Sequence, residues 1–237
     1  MRSVWVCVWI LWGGQAAAQE LQINETPYAD LKALKPVVET FQDHAQVSIW
    51  DEFGIEKARL GQMLAGQSLQ VRTGRGLDSH WVLQDRTATE PLALATGSDG
   101  PVAGVVYDGA FGGYALAGIG PKQTGRGNMR LGTGVVTILF DDLQCLFGLR
   151  TWLDGEQENI VMRDHPEGNL NVIFWNDAGE ELADFRRYLD QGLLEIGYIQ
   201  SAGSYPEIRA VTIQNLDPEG IGIDEILYAP MCPMILS

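Results

Sequence analysis

The chain has 237 residues and is 46% hydrophobic, enough for a sizeable core and too much for disorder over most of its length. Sixteen Lys and Arg stand against 31 Asp and Glu, a net charge of −15 that repels phosphate backbones and anionic membrane surfaces. That balance argues against nucleic acid as a partner. It leaves two readings of the acids: charge that keeps an exported protein soluble, or carboxylates that hold a hard cation such as Ca²⁺.

The N-terminus reads as a removable export signal. Arg2 precedes an apolar run over residues 4–12, followed by Gly13, Gly14 and Gln15 and then Ala16-Ala17-Ala18, a small-residue cleavage pattern. Cleavage after Ala18 defines a signal peptide over 1–18 and leaves 219 residues. The run is too short to serve as a spanning anchor, and no later segment is apolar for long enough. The expected location is therefore secreted or periplasmic, with no membrane anchor. Cys7 departs with the signal, so Cys145 and Cys232 are the pair exposed to an oxidising compartment. A disulfide between them is expected, against the alternative of two buried free thiols. Closing that loop is worth at most about 4.6 kcal/mol in the chain-entropy model.

Residues 19–35 form an N-terminal extension. Thr26 suits a helix cap and Pro27 a first helical position, while Tyr28, Leu31 and Leu34 share a face. A helix of one or two turns is predicted, stopped by Pro36. From residue 37 the pattern is one of strands, at 37–41, 69–72, 81–84, 102–107, 135–140, 146–152, 170–175, 195–200, 208–214 and 221–228. Short β-branched and aromatic runs between Gly, Asp, Asn and Pro clusters predict an all-β fold, an antiparallel sandwich or barrel, in a single domain over 36–229 with a tail at 230–237.

Within 170–175, Leu170, Val172 and Phe174 lie on one face, and Asn176-Asp177-Ala178-Gly179 reverses the chain with Gly179 at a positive φ. The segment after it is ambiguous. Leu182, Phe185 and Leu189 fit a helix, but the turn favours a returning strand over 181–185 with an irregular or helical end, and that is the expectation. Twelve glycines between 97 and 134 predict wide loops and bulged strands.

Standard catalytic motifs are missing. The sequence has no Gly-x-Ser-x-Gly elbow, no His-Glu-x-x-His pair and no phosphate loop ending in Gly-Lys-Ser/Thr. Gly118-Ile119-Gly120 begins like a dinucleotide fingerprint, but Gln123 stands where a glycine is required. His44, His80 and His165 lie in separate regions without zinc-ligand spacing and are expected on the surface or in loops.

The closing segment Gly220-Ile221-Gly222-Ile223-Asp224-Glu225-Ile226-Leu227-Tyr228 interleaves a carboxylate with aliphatic residues on either strand face. A buried carboxylate needs a donor, an Arg or a metal. Opening and closing strands of sandwiches often adjoin, which brings Glu39 or Asp43 toward Asp224 as co-ligands of one cation. Bonding of Asp224 to neighbouring backbone N–H groups is the other reading. The doublet Asp141-Asp142 is a further option, though such pairs usually serve turns. Trp50, Trp81, Trp152 and Trp175 survive cleavage. A solvent-facing indole stacks on sugar rings, and Trp175, opposite the Leu170/Val172/Phe174 face and beside a turn, is the chosen ligand-binding candidate.

The order Val135-Val136-Thr137-Ile138-Leu139-Phe140-Asp141, the strand at 145–152, Val172–Trp175, the turn 176–179, the strand at 208–214 and the closing Gly222-Ile223-Asp224-Glu225-Ile226 resembles the jelly-roll, lectin-like domains of exported bacterial proteins, including those with a PEP-CTERM sorting tail. Glu39-Thr40-Phe41 and Gly54-Ile55 are similar to their opening strands. The resemblance spans about residues 36–229. It implies an antiparallel jelly-roll β-sandwich, carbohydrate binding, and structural Ca²⁺ on Glu39 and Asp224. Residues 231–237 depart from the sorting-tail version, with no spanning helix or basic cluster. The expectation is a non-catalytic carbohydrate-binding or surface-interaction module whose partner is a glycan or cell-surface component. A polysaccharide-cleaving enzyme and a structural extracellular protein are the alternatives.

Overall fold

A computed structural model describes residues 23–44, 47–73, 79–97, 100–122, 129–153, 170–187, 192–201, 205–215 and 220–230. The signal region, His165 and Cys232 lie outside these residues. In chain order the elements begin with β1 (Ile23–Thr26), α1 (Tyr28–Ala33), β2 (Val37–Glu39), β3 (Val47–Ile49), β4 (Phe53–Ile55) and β5 (Ala58–Gly61). Next come β6 (Met63–Leu64), β7 (Ser68–Thr73), β8 (Ser79–Asp85), β9 (Leu94–Ala95), β10 (Ala103–Asp108), β11 (Gly113–Lys122) and β12 (Met129–Leu131). The chain continues through β13 (Val135–Gln144), β14 (Leu146–Leu153), β15 (Leu170–Trp175) and β16 (Glu181–Arg187). It closes with β17 (Gly192–Gln200), β18 (Ile208–Asn215) and β19 (Ile221–Ala229).

These strands form an all-β antiparallel sandwich. One sheet has nine strands, in the order β1-β17-β14-β19-β11-β10-β3 with β12 and β2 beside β11 and β19. The other runs β16-β15-β18-β13-β5-β4. From β13 onward the chain crosses repeatedly between the sheets, as jelly rolls do. The core is what alternation dictates: Phe147 and Leu149 of β14, Leu170, Val172 and Phe174 of β15, Val211 and Ile213 of β18, and Val136 and Ile138 of β13 meet between the sheets. Phe174 sits among Phe147, Phe185 and Tyr198, with ring centroids 5.1–6.0 Å apart. No helix among the described residues is long and apolar enough to cross a membrane.

Both sheets carry a cover on their outer faces. Leu139, Ile173, Trp175 and Ala210 on the outside of the six-stranded sheet pack under Met63, Leu64 and Leu83, so residues 63–95 form a third layer there. Outside the nine-stranded sheet, Leu146 and Leu227 are capped by Tyr28 and Leu31 of α1. The N-terminal extension is thus part of the sandwich: β1 pairs with β17, Ile23 opposite Gln200. Thr26 belongs to that strand, and the residue before α1 is Pro27, with no side-chain cap bond. The ambiguous segment after Gly179, whose φ is 72°, is strand over Glu181–Arg187, paired with β15, and its expected irregular end at 188–189 lies outside the described residues.

The glycine-rich region holds loops and an irregular β11–β12 pairing, as expected, and something more. Its glycines allow backbones to touch. A Cβ on Gly118 would lie 2.8 Å from the Gly134 carbonyl, and one on Gly132 (φ 80°) would lie 2.5 Å from the Ile221 nitrogen. The Gly132 and Gly134 N–H groups both donate to the Gly118 carbonyl, and the Ile221 N–H donates to the Gly132 carbonyl. Residues 131–134 are therefore wedged between β11 and the start of β19, a path that only side-chain-free positions permit. Gly118→Ala is expected to cost on the order of 1–3 kcal/mol, seen as a lower Tm. Gly54→Ala, whose Cβ would meet nothing within 4 Å, is expected to leave Tm unchanged.

Candidate functional site

The closing strand sets the geometry of the nine-stranded sheet's outer face. Arg150 pairs with Glu225 and Thr151 with Ile223, so Asp224 is the extra residue of a β-bulge. The bulge shifts the phase of β19. Ile221 and Ile223 before it, and Ile226 and Tyr228 after it, all enter the core. Asp224 and Glu225 are both turned to the outer side, where Leu227 packs against α1.

Each carboxylate there has organic partners. Glu225 Oε1 accepts hydrogen bonds from the Tyr28 hydroxyl at 2.5 Å and the Lys32 ammonium at 2.8 Å. Asp224 lies 3.3 Å from the Arg150 guanidinium and accepts from Gln42 Nε2 at 3.2 Å. Gln42 also exchanges two bonds of 3.0 Å with the backbone of Tyr114, standing in for a ladder partner at the β11 margin. Arg150 reaches Glu195 at 3.7 Å on its other side. Burial raises the Asp224 carboxyl above its ordinary range and the neighbouring Glu225 adds to this, while Arg150 and Gln42 act the other way. Burial and the bond to Glu225 push the Tyr28 hydroxyl up.

The opening and closing strands do adjoin, with Glu39 opposite Ile226. Glu39, however, accepts from the Phe41 N–H at 3.2 Å and sits 3.3 Å from His44 Nε2. Glu39 and Asp224 therefore answer to separate partners, the kind of compensation that a buried carboxylate requires. Among the described residues no three His, Cys, Asp or Glu converge as a metal cage. Asp141 and Asp142 are exposed within β13. His80, expected at the surface, is 1% exposed in β8.

Trp175 is corrected by the structure. Its ring does lie opposite the Leu170/Val172/Phe174 face, but the third layer covers that side, leaving it 1% exposed. Its indole N–H donates to Thr212 Oγ1 at 2.9 Å. It cannot stack on a ligand.

Trp152 occupies the position that Trp175 was expected to hold. A groove of about 170 Å³ on the outer face is lined by Trp152, Tyr107, Asp108, Ala115, Ala117 and Gly222, among others. Trp152 and Gly222 are register partners on β14 and β19. Phe111 stands edge-on to Trp152, ring centroids 6.4 Å apart. Tyr107 is 60% exposed. Gly222 lies beneath Asp108 and Phe111: a Cβ there would lie 2.8 Å from Asp108 Oδ2 and 3.2 Å from the Phe111 ring. Its φ is not in the left-handed region, so space rather than conformation requires the glycine. The sequence signal was the alternation in β14, where Arg150 and Trp152 share the face opposite Phe147 and Leu149. An Arg on the same face marks that side as the wet one.

A second concavity of about 690 Å³ lies beside Arg59, Glu90, Leu92, Asp141, Asp177 and Arg209. Its guanidinium groups are already engaged. Arg209 binds Asp177 at 2.6 Å and the carbonyls of Phe140 and Asp141, and Arg59 binds Glu52 at 3.1 Å. The groove, with aromatic walls and an apolar floor, is the better recognition site. No protein-family model, curated protein or solved structure matches the chain.

The raised Asp224 carboxyl fixes a sign. The fold holds its proton more tightly than the unfolded chain does, so this residue's stabilising contribution is present at low pH and lost as pH rises through its folded pKa. Asp224→Asn is accordingly expected to hold or raise Tm at neutral pH, with the advantage shrinking as pH falls through the carboxylate range. Tm measured against pH for both proteins checks it.

Proposed function

We propose that this protein is a secreted, non-catalytic carbohydrate-binding module whose ligand lies in the Trp152 groove. The observation that carries the reading is a groove lined by Trp152 and Tyr107 with the Asp108 carboxylate at its margin. A pyranose presents an apolar C–H face and a polar hydroxyl edge, and this groove offers the complement of each. Its volume is below the roughly 300–1,000 Å³ of drug-sized ligand sites, which suits one sugar unit of a chain or a chain end. The resemblance of residues 36–229 to exported lectin-like domains points the same way, and the signal-like residues 1–18 supply the export. Calcium is not part of this proposal, since Glu39 Oε1 and both Asp224 oxygens are engaged elsewhere.

Polysaccharide cleavage is the second reading, favoured by one observation. The protonation-prone Asp224 lies two residues from Gly222 on the same outer face, beside Arg150. A glycan array with turnover assays on the same sugars separates the two: retention without product supports binding, and product release supports the enzyme. Trp152→Ala is expected to weaken glycan binding by roughly tenfold or more, the equivalent of one good stacking contact with its buried area. Gly222→Val should weaken it by displacing Asp108 and Phe111 from their places at the groove. Retained affinity in both variants would remove the groove from consideration.

Export also supports a Cys145–Cys232 disulfide in the mature protein. Cys145 is fully buried, and its sulfur is not a free thiol. Peptide mapping under non-reducing conditions is expected to recover the two cysteines in one cross-linked fragment; alkylation of both without reduction would refute the bridge.

A further inference from the structure

Resting on the carbohydrate reading of this groove, we infer that its preferred ligand is a hexosamine with a free amine, over the neutral N-acetylated sugar and over acidic sugars. The selecting group is Asp108. Its Oδ1 is fixed by the Ala110 N–H at 2.8 Å, an Asx turn that orients the carboxylate. Its Oδ2 reaches over Gly222, within 2.8 Å of the point a Cβ would occupy, and no described residue donates a hydrogen bond to it. Trp152 borders the same glycine from the β14 side, by register. A ring held in the groove against Trp152 therefore meets Asp108 with an edge substituent. An ammonium there makes a charge-assisted bond, stronger than the bond from a hydroxyl or an amide N–H.

The surroundings reinforce this sign. Among the described residues of the same outer face the cations are engaged: Arg150 is shared between Asp224 at 3.3 Å and Glu195 at 3.7 Å, and Lys32 binds Glu225 at 2.8 Å. Asp108, Asp224, Glu195 and Glu225 outnumber these two, and the whole chain carries −15. A uronate or sulfated sugar would bring a further anion to Asp108, with the Arg150 guanidinium already engaged.

The test uses the full mature chain and three short probes of equal length: a glucosamine oligomer, its N-acetylated counterpart and a uronic-acid oligomer. Titration calorimetry is expected to give the free-amine probe roughly tenfold tighter binding than the acetylated one, with none for the uronate. Asp108→Asn should erase that preference while leaving affinity for the acetylated probe. Glu56→Gln, which makes the same charge change on the remote β4–β5 turn, should keep it, so that general attraction of a cation to an acidic protein is told apart. Equal affinity for the two glucosamine probes, or a preference that survives Asp108→Asn, overturns the inference and leaves the carbohydrate reading intact. Failure of every sugar to bind overturns both.

Discussion

The side-chain phase of β19 governs everything on the nine-stranded sheet. A regular strand through Ile223-Asp224-Glu225-Ile226 would force a carboxylate into the core or an isoleucine out of it. Bulging at Asp224 removes the conflict by placing two consecutive acids on one side and restoring inward isoleucines on both flanks. The cost of burying those acids is met by Arg150 of β14, Gln42 of the turn after β2, and Tyr28 and Lys32 of α1. That arrangement ties α1 and the 40–44 turn to the sheet, and it fixes Gly222 at the groove one step away.

Much of the architecture was legible in the sequence because period-two alternation is a local property. The face of Leu170, Val172 and Phe174, the reversal at Gly179 and the adjacency of opening and closing strands all follow from residue pattern and turn chemistry. What local pattern does not encode is which outer face stays wet. Trp175 was placed on the correct side of its strand, yet that side is roofed by residues from more than eighty positions earlier in the chain. Trp152 looks equivalent in isolation and differs in lining a groove among the described residues.

The dilemma read from the closing segment, a carboxylate on either face, arose from assuming an unbroken strand. Bulges depend on register with both neighbours, and neither neighbour is visible from the segment alone. The glycines between 97 and 134 do more than the loops and bulges their density suggests, for a related reason. Density of glycine suggests loops, but Gly118, Gly132 and Gly134 serve contacts between backbones distant in sequence, and composition carries no record of partners.

That glycine seam has a mechanical consequence. Where residues 131–134 press against β11 and β19, main chains rather than side chains fill the space, so the sandwich is stitched shut at this end by hydrogen bonds between peptide groups. Elsewhere the sheets are held apart by interdigitated side chains that can re-pack. Amide protons along the seam should therefore be among the slowest to exchange with solvent, and the groove that borders Gly132 and Gly220 inherits the stiffness of that stitched corner.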